Sequence, residues 1–167
     1  MGLFSKWSKS ELKQWQDLIL ADYSPKLIMT EKQLKKTTLL QAQNDIRIIQ
    51  DSAKLIDSTT KVETFFSRFE LLNKHVEHLI MLEPYLSFSG ERPSQMAVTL
   101  INNRDQAVQD FVIRYFTSIM NKAEEMKTDS GKKRQYQKFY DSLQPYYPKM
   151  NQWCMDYIET KYKAYSQ

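Results

Sequence analysis

Glycine is nearly absent from this chain, which has only Gly2, Gly90 and Gly131 among its 167 residues. Average usage is roughly 7 %, and folds with many tight turns or phosphate-binding loops need more glycine than this. Proline is also missing over two long stretches, 30–83 and 94–144. Together these scarcities predict a few long helices and argue against β-sandwiches and barrels.

Apolar residues recur three or four positions apart along most of the chain, the spacing that forms one stripe on a helix. The spacing predicts helices over about 10–21, 30–57, 60–82, 94–127 and 132–143, and a last helix with Pro148 in its first turn. Capping-box pairs precede two of them, Thr30 with Gln33 and Thr60 with Glu63. Loops are predicted over 83–93 and 128–133, where Gly90 and Gly131 are expected to supply a positive φ.

These helices predict an all-α fold and a single helical domain over residues 1–167. The expected architecture is an antiparallel bundle of three long helices (30–127), with an N-terminal helix and connector (1–29) and a C-terminal helical hairpin (128–167). A competing arrangement is a long antiparallel coiled-coil hairpin over 30–82, which would complete its core in a homodimer.

The sequence predicts a cytoplasmic location. No apolar run reaches the roughly 20 residues that cross a bilayer, and no secretory signal pattern follows Met1. The single cysteine, Cys154, cannot form an internal disulfide, which suits a reducing compartment.

The residues that could act in catalysis or bind a metal do not form a recognisable catalytic pattern. His75 and His78 lie three apart, but neither the Glu-x-x-His pairs of di-iron bundles nor the His-Glu-x-x-His of zinc proteases is present. Both are therefore predicted to be surface or boundary histidines beside the apolar stripe. Cys154 has no histidine near it in sequence and is predicted to be a small core residue. No enzyme activity, no metal and no cofactor is expected.

Aromatic residues at both ends of the chain suggest binding to another protein. We expect an interaction surface formed by Trp7, Trp15, Tyr146, Tyr147 and Trp153, because tyrosine and tryptophan suit interfaces that are partly wet. The leading hypothesis is a non-enzymatic helical interaction module. Its expected partner is an unknown protein or a second copy of this chain.

Two other partner classes are open. The C-terminal hairpin is rich in tyrosine and carries Lys132, Lys133, Arg134 and Lys138, which would suit base stacking and phosphate contacts with nucleic acid. The N-terminal helix places apolar and aromatic side chains on one face with lysines around it, a pattern typical of peripheral membrane association.

Four segments of the chain resemble a helical family found in uncharacterised proteins of Gram-positive bacteria and their mobile elements. The resemblance covers about residues 40–163 and is carried by Phe65–Leu72, Leu86–Ser94, Lys127–Lys133 and Lys138–Leu143. It implies a bacterial, intracellular helical module. Since the family has no known activity, it implies no functional residues.

Overall fold

The all-α class predicted from the sequence is confirmed. A computed structural model describes residues 7–20, 29–86 and 102–166, and within these ranges it contains helices and short connections but no strand. The helices are α1 (Lys9–Ile19), α2 (Glu31–Ser58), α3 (Val62–Leu86), α4 (Arg104–Glu124), α5 (Asp129–Leu143) and α6 (Gln152–Ser166), with a 3₁₀ helix at Gln144–Lys149. Of the helices so described, none has an apolar stretch long enough to cross a membrane.

Capping boxes start the first two helices. Before α1, Ser8 Oγ accepts from the Glu11 N–H (3.2 Å) and Glu11 Oε2 accepts from the Ser8 N–H (2.7 Å). Hydrogen bonding from Ser8 to the Glu11 carboxyl, through its side chain and then its backbone N–H, lowers the pKa of that carboxyl. The box predicted before α2 is confirmed, with the Thr30 N–H donating to Gln33 Oε1 (2.9 Å) and the Gln33 N–H to Thr30 Oγ1 (3.3 Å).

The third helix differs from its prediction at both ends. It begins at Val62 rather than after a Thr60 cap, and the Lys61 N–H donates instead to Thr59 Oγ1 (3.1 Å). It then continues through Pro84 to Leu86, so the loop predicted from residue 83 is wrong for 83–86. Leu86 is fully buried, and that burial offsets the cost of a proline inside a helix. Residues 87–93 and 94–101 lie outside the described ranges.

Gly131 does not connect two helices, contrary to prediction. It lies in the first turn of α5 with a φ outside the positive region, and its N–H donates to Oγ1 of the capping residue Thr128 (3.1 Å). A Cβ at this position would lie 3.0 Å from that oxygen. The tight turn predicted here is therefore a helix N-terminus, and Gly90 lies outside the described residues.

The last helix also begins later than predicted. Pro145 and Pro148 both lie in the 3₁₀ helix, and α6 begins only at Gln152. Asn151 precedes it and its Oδ1 accepts from the Cys154 N–H (3.0 Å). Since asparagine is a preferred N-cap whose side chain satisfies a backbone N–H of the first turn, the local sequence favours this later start.

The chain divides into two compact units, which share α2 and α3. The first unit comprises residues 1–49 and 74–98, and the second comprises 50–73 and 99–167. The single domain, the three-helix bundle and the alternative coiled-coil dimer stay predictions.

In the first unit, α1 is held to its neighbours by Trp15. This side chain is fully buried, its Nε1–H donates to Thr38 Oγ1 (2.6 Å), and its ring stacks on Tyr85 with 4.9 Å between centroids. The remaining core of this unit is aliphatic and comprises Ile19, Leu34, Ala42, Ile49, Val76, Leu79, Leu82 and Leu86.

The second unit has a largely aromatic core. The Phe65 and Phe111 rings stack with centroids 4.0 Å apart, and Phe116 meets Phe139 edge to face at 5.1 Å. Offset and edge-to-face pairs of this kind contribute about 0.5–1.5 kcal/mol beyond the area they bury. The α5–α6 pair is thus attached to α4 through aromatic packing.

Candidate functional site

A buried aspartate joins two histidines in the first unit. The side chain of Asp45 on α2 is only 2 % exposed. Its Oδ1 lies 2.6 Å from Nδ1 of His75 and its Oδ2 lies 2.6 Å from Nδ1 of His78. When Asp45 is ionised, its oxygens can only accept hydrogen bonds, so Nδ1 of each histidine is the donor. Each ring is thereby fixed in orientation and turns its Nε2 away from Asp45.

The local sequence explains why both imidazoles reach one carboxylate. Residues three apart on a helix lie on the same side, and each histidine precedes a buried residue of the α3 stripe, Val76 or Leu79. The prediction of boundary histidines is confirmed, with side chains 18 % and 24 % exposed. Their shared partner was not predicted.

Asp45 itself could have been found from its position. It lies three residues after Ala42 and four before Ile49, both buried, so helical spacing places it on the inner side of α2. Polar residues at seven-residue intervals share this side, and all are buried: Thr38, Asp45 and Ser52. Leu39 and Ile46, which the apolar spacing also predicts to face the core, are only half-buried.

A cavity of about 660 Å³ adjoins the two histidines. Its described walls come from the end of α1, from α2 and from α3, all within the first unit. They comprise residues 17–20, then Gln41, Asn44 and Asp45, then Lys74, His75, Glu77, His78 and Met81. The cavity thus combines an aliphatic wall with two oriented imidazoles and several polar side chains.

The described polar groups that line this cavity are carboxylates, imidazoles, amides and one ammonium. The residues described as lining the cavity include no serine, threonine, tyrosine or cysteine to act as a hydroxyl or thiol nucleophile. In the described ranges no group of three histidine, cysteine or acidic residues is arranged to hold a metal ion. A neutral imidazole that donates through Nδ1 can still accept through Nε2. The site therefore supplies hydrogen-bond acceptors and apolar contacts.

Of the two N-terminal tryptophans, Trp15 is not available for the predicted interaction surface. Trp15 is fully buried, and the half-buried Trp7 ring lies 5.5 Å from that of Trp15 and 5.4 Å from that of Tyr85. Ile19 on the same helix is buried as well. The prediction is wrong for Trp15, because this side chain packs inside the first unit. Protein or membrane binding through the rest of this segment stays a prediction. Residues 1–6 lie outside the described ranges.

Of the predicted aromatic residues in the second unit, Trp153 is the most exposed. Tyr146 is half-buried and stacks on Phe66 with centroids 4.2 Å apart. Tyr147 is also half-buried, and its hydroxyl donates to Glu159 Oε1 (3.3 Å). Trp153 remains 44 % exposed while stacking on Tyr157 at 5.2 Å. Tyr146 and Tyr147 thus contribute to packing.

The four basic residues proposed for nucleic-acid contact are exposed along α5, namely Lys132, Lys133, Arg134 and Lys138. The tyrosines of this helix, however, take part in packing. Tyr136 is buried, and Tyr140 stacks on Tyr162 at 4.4 Å while its hydroxyl donates to Glu159 (3.0 Å). Nucleic-acid binding through this hairpin stays a prediction.

Cys154 is a core residue, as predicted. It is fully buried, and loss of hydration raises the pKa of its thiol to about 11, with the charge of Asp105 acting in the same direction. A thiol with such a pKa is almost entirely protonated near pH 7 and is a poor nucleophile. The second unit therefore has no reactive cysteine among its described residues.

Comparisons of the chain with protein-family models, with curated proteins and with solved structures found no match. The resemblance to a helical family of Gram-positive bacteria stays a prediction.

Proposed function

We propose that the chain is a non-enzymatic helical binding module and that the cavity beside Asp45 is its ligand site. The observation that carries this proposal is one buried carboxylate orienting His75 and His78 at the wall of a cavity of about 660 Å³. Pockets for small organic molecules are typically about 300–1,000 Å³, largely apolar, with a few oriented polar groups.

The cost of burying the Asp45 carboxylate supports a role of this residue and its two histidines beyond folding. A buried carboxylate is costly unless its hydrogen bonds are made, and Asp45 makes them on both oxygens to rings that border the cavity. Both imidazoles are thus held in place before a ligand arrives, which reduces the ordering cost of binding. An apolar residue at this position would stabilise the helix pair without orienting either ring.

The proposal is tested by nuclear magnetic resonance titration with mixtures of small amines, acids and neutral compounds. Amide shifts are expected at residues 17–20, 41–45 and 74–81, which line the cavity. The variant Met81→Trp should abolish them, because Met81 borders the cavity and is 51 % exposed. Ile113→Trp is the matched control, since Ile113 is 40 % exposed on α4 and is not among the residues lining this cavity. Shifts that are absent, or equal in both variants, would contradict the proposal.

A second candidate function is protein docking through α6, which carries one residue, Trp153, of the interaction surface predicted from the sequence. Trp153 favours it, because a tryptophan that is 44 % exposed is the residue type most enriched at interaction hot spots. The simplest partner is a second copy of the chain. Sedimentation equilibrium should then show a dimer that Trp153→Ala weakens and Met126→Ala, at another exposed apolar residue, does not. A monomer at every concentration would contradict self-association.

We also infer that the protein works in the bacterial cytoplasm. A single cysteine that is buried in the core suits a reducing compartment, and the resemblance to a family of Gram-positive bacteria supports the source. Fractionation of cells that express the chain at native level would test the location.

A further inference from the structure

We infer that the ligand of the cavity beside Asp45 is a small organic cation, an ammonium or guanidinium group on an aliphatic body. This inference rests on the proposed function and adds the chemical class of the ligand. Three independent features of the cavity support it: the balance of charged side chains, the helix end that borders it, and its apolar wall.

The charged side chains of the cavity are predominantly acidic. Asp17, Asp45 and Glu77 contribute three carboxylates, and Lys74 contributes the only ammonium among the described lining residues. The lining therefore carries two net negative charges while both imidazoles are neutral, and it reaches neutrality only when both are protonated. Since no protonation state of the histidines makes this lining net positive, it favours a cation over an anion.

Two of these carboxylates form no ion pair with another described residue. Asp17 and Glu77 are exposed, and the ion pairs between described residues involve neither of them nor Lys74. Both carboxylates can therefore approach a ligand without first breaking an internal pair. The Nε2 atoms of the histidines add acceptors when the rings are neutral, and an ammonium or guanidinium group consists of donors only.

The end of α1 adds a partial negative charge. The cavity is lined by residues 17–20, the last turn of this helix and its cap. The carbonyl groups of a last turn carry the negative end of the helix dipole, which basic side chains often compensate. The last turn of α1 contains no basic residue. A ligand cation would compensate the dipole in place of a side chain.

The apolar wall requires that the cation be organic. Leu18, Ile19, Leu20 and Met81 border the cavity next to these acceptors. An inorganic cation would gain nothing from aliphatic contact, whereas each buried methylene group of an alkyl chain contributes favourably to binding. The described residues also form no metal-ion site.

The test is a titration of the full chain with three compounds of equal length: hexylammonium, hexanol and hexanoate. We expect hexylammonium to bind at least about fivefold more tightly than hexanol, and hexanoate to bind most weakly. The affinity for hexylammonium should fall with added salt. Asp17→Asn and Glu77→Gln should each weaken it by about threefold, because each removes one exposed charge from the lining. Asp51→Asn and Glu63→Gln are the matched controls, since Asp51 on α2 and Glu63 on α3 are exposed and do not line the cavity.

The outcomes separate the two proposals. If hexanol or hexanoate binds as tightly as hexylammonium with shifts at the cavity, the cavity is a ligand site and the inference of a cation is overturned. If Asp17→Asn, Glu77→Gln and the two controls have equal effects, the inference is overturned as well. If no compound of the series and none of the broader mixtures shifts the cavity amides, the proposed function itself fails.

Discussion

The indole of Trp15 and the hydroxyl of Thr38 form a hydrogen bond in the core of the first unit, with 2.6 Å between Nε1 and Oγ1. Both side chains are fully buried. The hydroxyl in turn donates to the Leu34 carbonyl (2.7 Å), so it serves as acceptor and donor at once. Trp15 is therefore positioned by a polar contact as well as by its stacking on Tyr85.

Replacing Thr38 with valine keeps the side-chain shape and removes this hydroxyl. The indole N–H of Trp15 is then buried without its acceptor, and such a group costs about 1–3 kcal/mol. We expect the free energy of unfolding to fall by that amount in urea titrations. Thr37→Val, on the same helix and half-buried, should change it by less than about 0.5 kcal/mol. Equal effects of the two variants would show that the Trp15 bond contributes nothing specific.

The two histidines should be coupled through Asp45. In the chain with Asp45, His75→Ala or His78→Ala leaves one donor on the carboxylate, and each should cost about 1–2 kcal/mol of unfolding free energy. The double variant leaves the buried carboxylate with neither donor. It should therefore cost about 1–3 kcal/mol more than the sum of the single variants.

The control for this coupling is the same pair of substitutions in an Asp45→Ala background. Without the carboxylate, neither histidine has a charge to satisfy, so the two substitutions should be additive within about 0.5 kcal/mol. Urea unfolding of the unsubstituted chain and the seven variants measures both cycles. Additive costs in the presence of Asp45 would mean that the carboxylate does not need its second donor.

Helix positions were predictable from the sequence because their determinants are local. The Thr30–Gln33 cap and the spacing of Phe65 and Phe69 involve neighbours within one turn. The candidate site depends on contacts over 30 and 33 residues, from Asp45 to His75 and to His78. No local pattern encodes such a contact, and only the helical spacing that places Asp45 inside α2 could have indicated it.

The exposure of aromatic residues was the least predictable property. Composition and spacing assign the same apolar character to Trp15 and Trp153, yet the first is fully buried and the second is 44 % exposed. The difference arises from tertiary partners, since Trp15 meets Thr38 and Tyr85. The interaction surface predicted from residue type alone therefore included residues from both units.

Cys154 should react slowly with alkylating agents in the folded protein. Its pKa of about 11, raised first by burial, reduces the thiolate fraction about 100-fold at pH 8 relative to an ordinary thiol of pKa 9. We expect iodoacetamide labelling, followed by mass spectrometry, to be at least that much slower than in denaturant. Equal rates with and without denaturant would contradict the burial of this thiol.

Alkaline pH should destabilise the second unit through Tyr147. Burial, followed by the charge of Glu159, raises the pKa of this phenol. Because the folded state holds the proton more tightly than the unfolded state, the stabilisation is fully present below the unfolded pKa of about 10 and is lost as the pH rises through the folded pKa. Urea unfolding between pH 8 and pH 11 should show stability falling above about pH 10. Tyr147→Phe and Glu159→Gln should each reduce this slope, and an unchanged slope in both variants would exclude Tyr147 as its source.

Arg114 should stabilise the C-terminal end of α2, from which it is separated by more than fifty residues in sequence. Its Nη2 donates to the Ile56 carbonyl (2.7 Å) and its Nε to the Thr59 carbonyl (3.1 Å). The last turn of α2 contains no basic residue, so this guanidinium supplies the positive charge that a helix C-terminus favours. Arg114→Gln should lower the free energy of unfolding by about 1.5–3 kcal/mol, because two charge-assisted bonds are lost.

Arg114→Lys separates the charge of this contact from its geometry. A lysine ammonium keeps the charge near the helix end, but it lacks the planar fork that reaches two carbonyls at once. We therefore expect it to recover less than half of the loss caused by Arg114→Gln. Arg68→Gln is the control, since Arg68 is exposed on α3 and its substitution should change the stability by less than about 0.5 kcal/mol. Full recovery of the unfolding free energy by lysine would mean that the interaction of a positive charge with the α2 dipole alone accounts for the stabilisation.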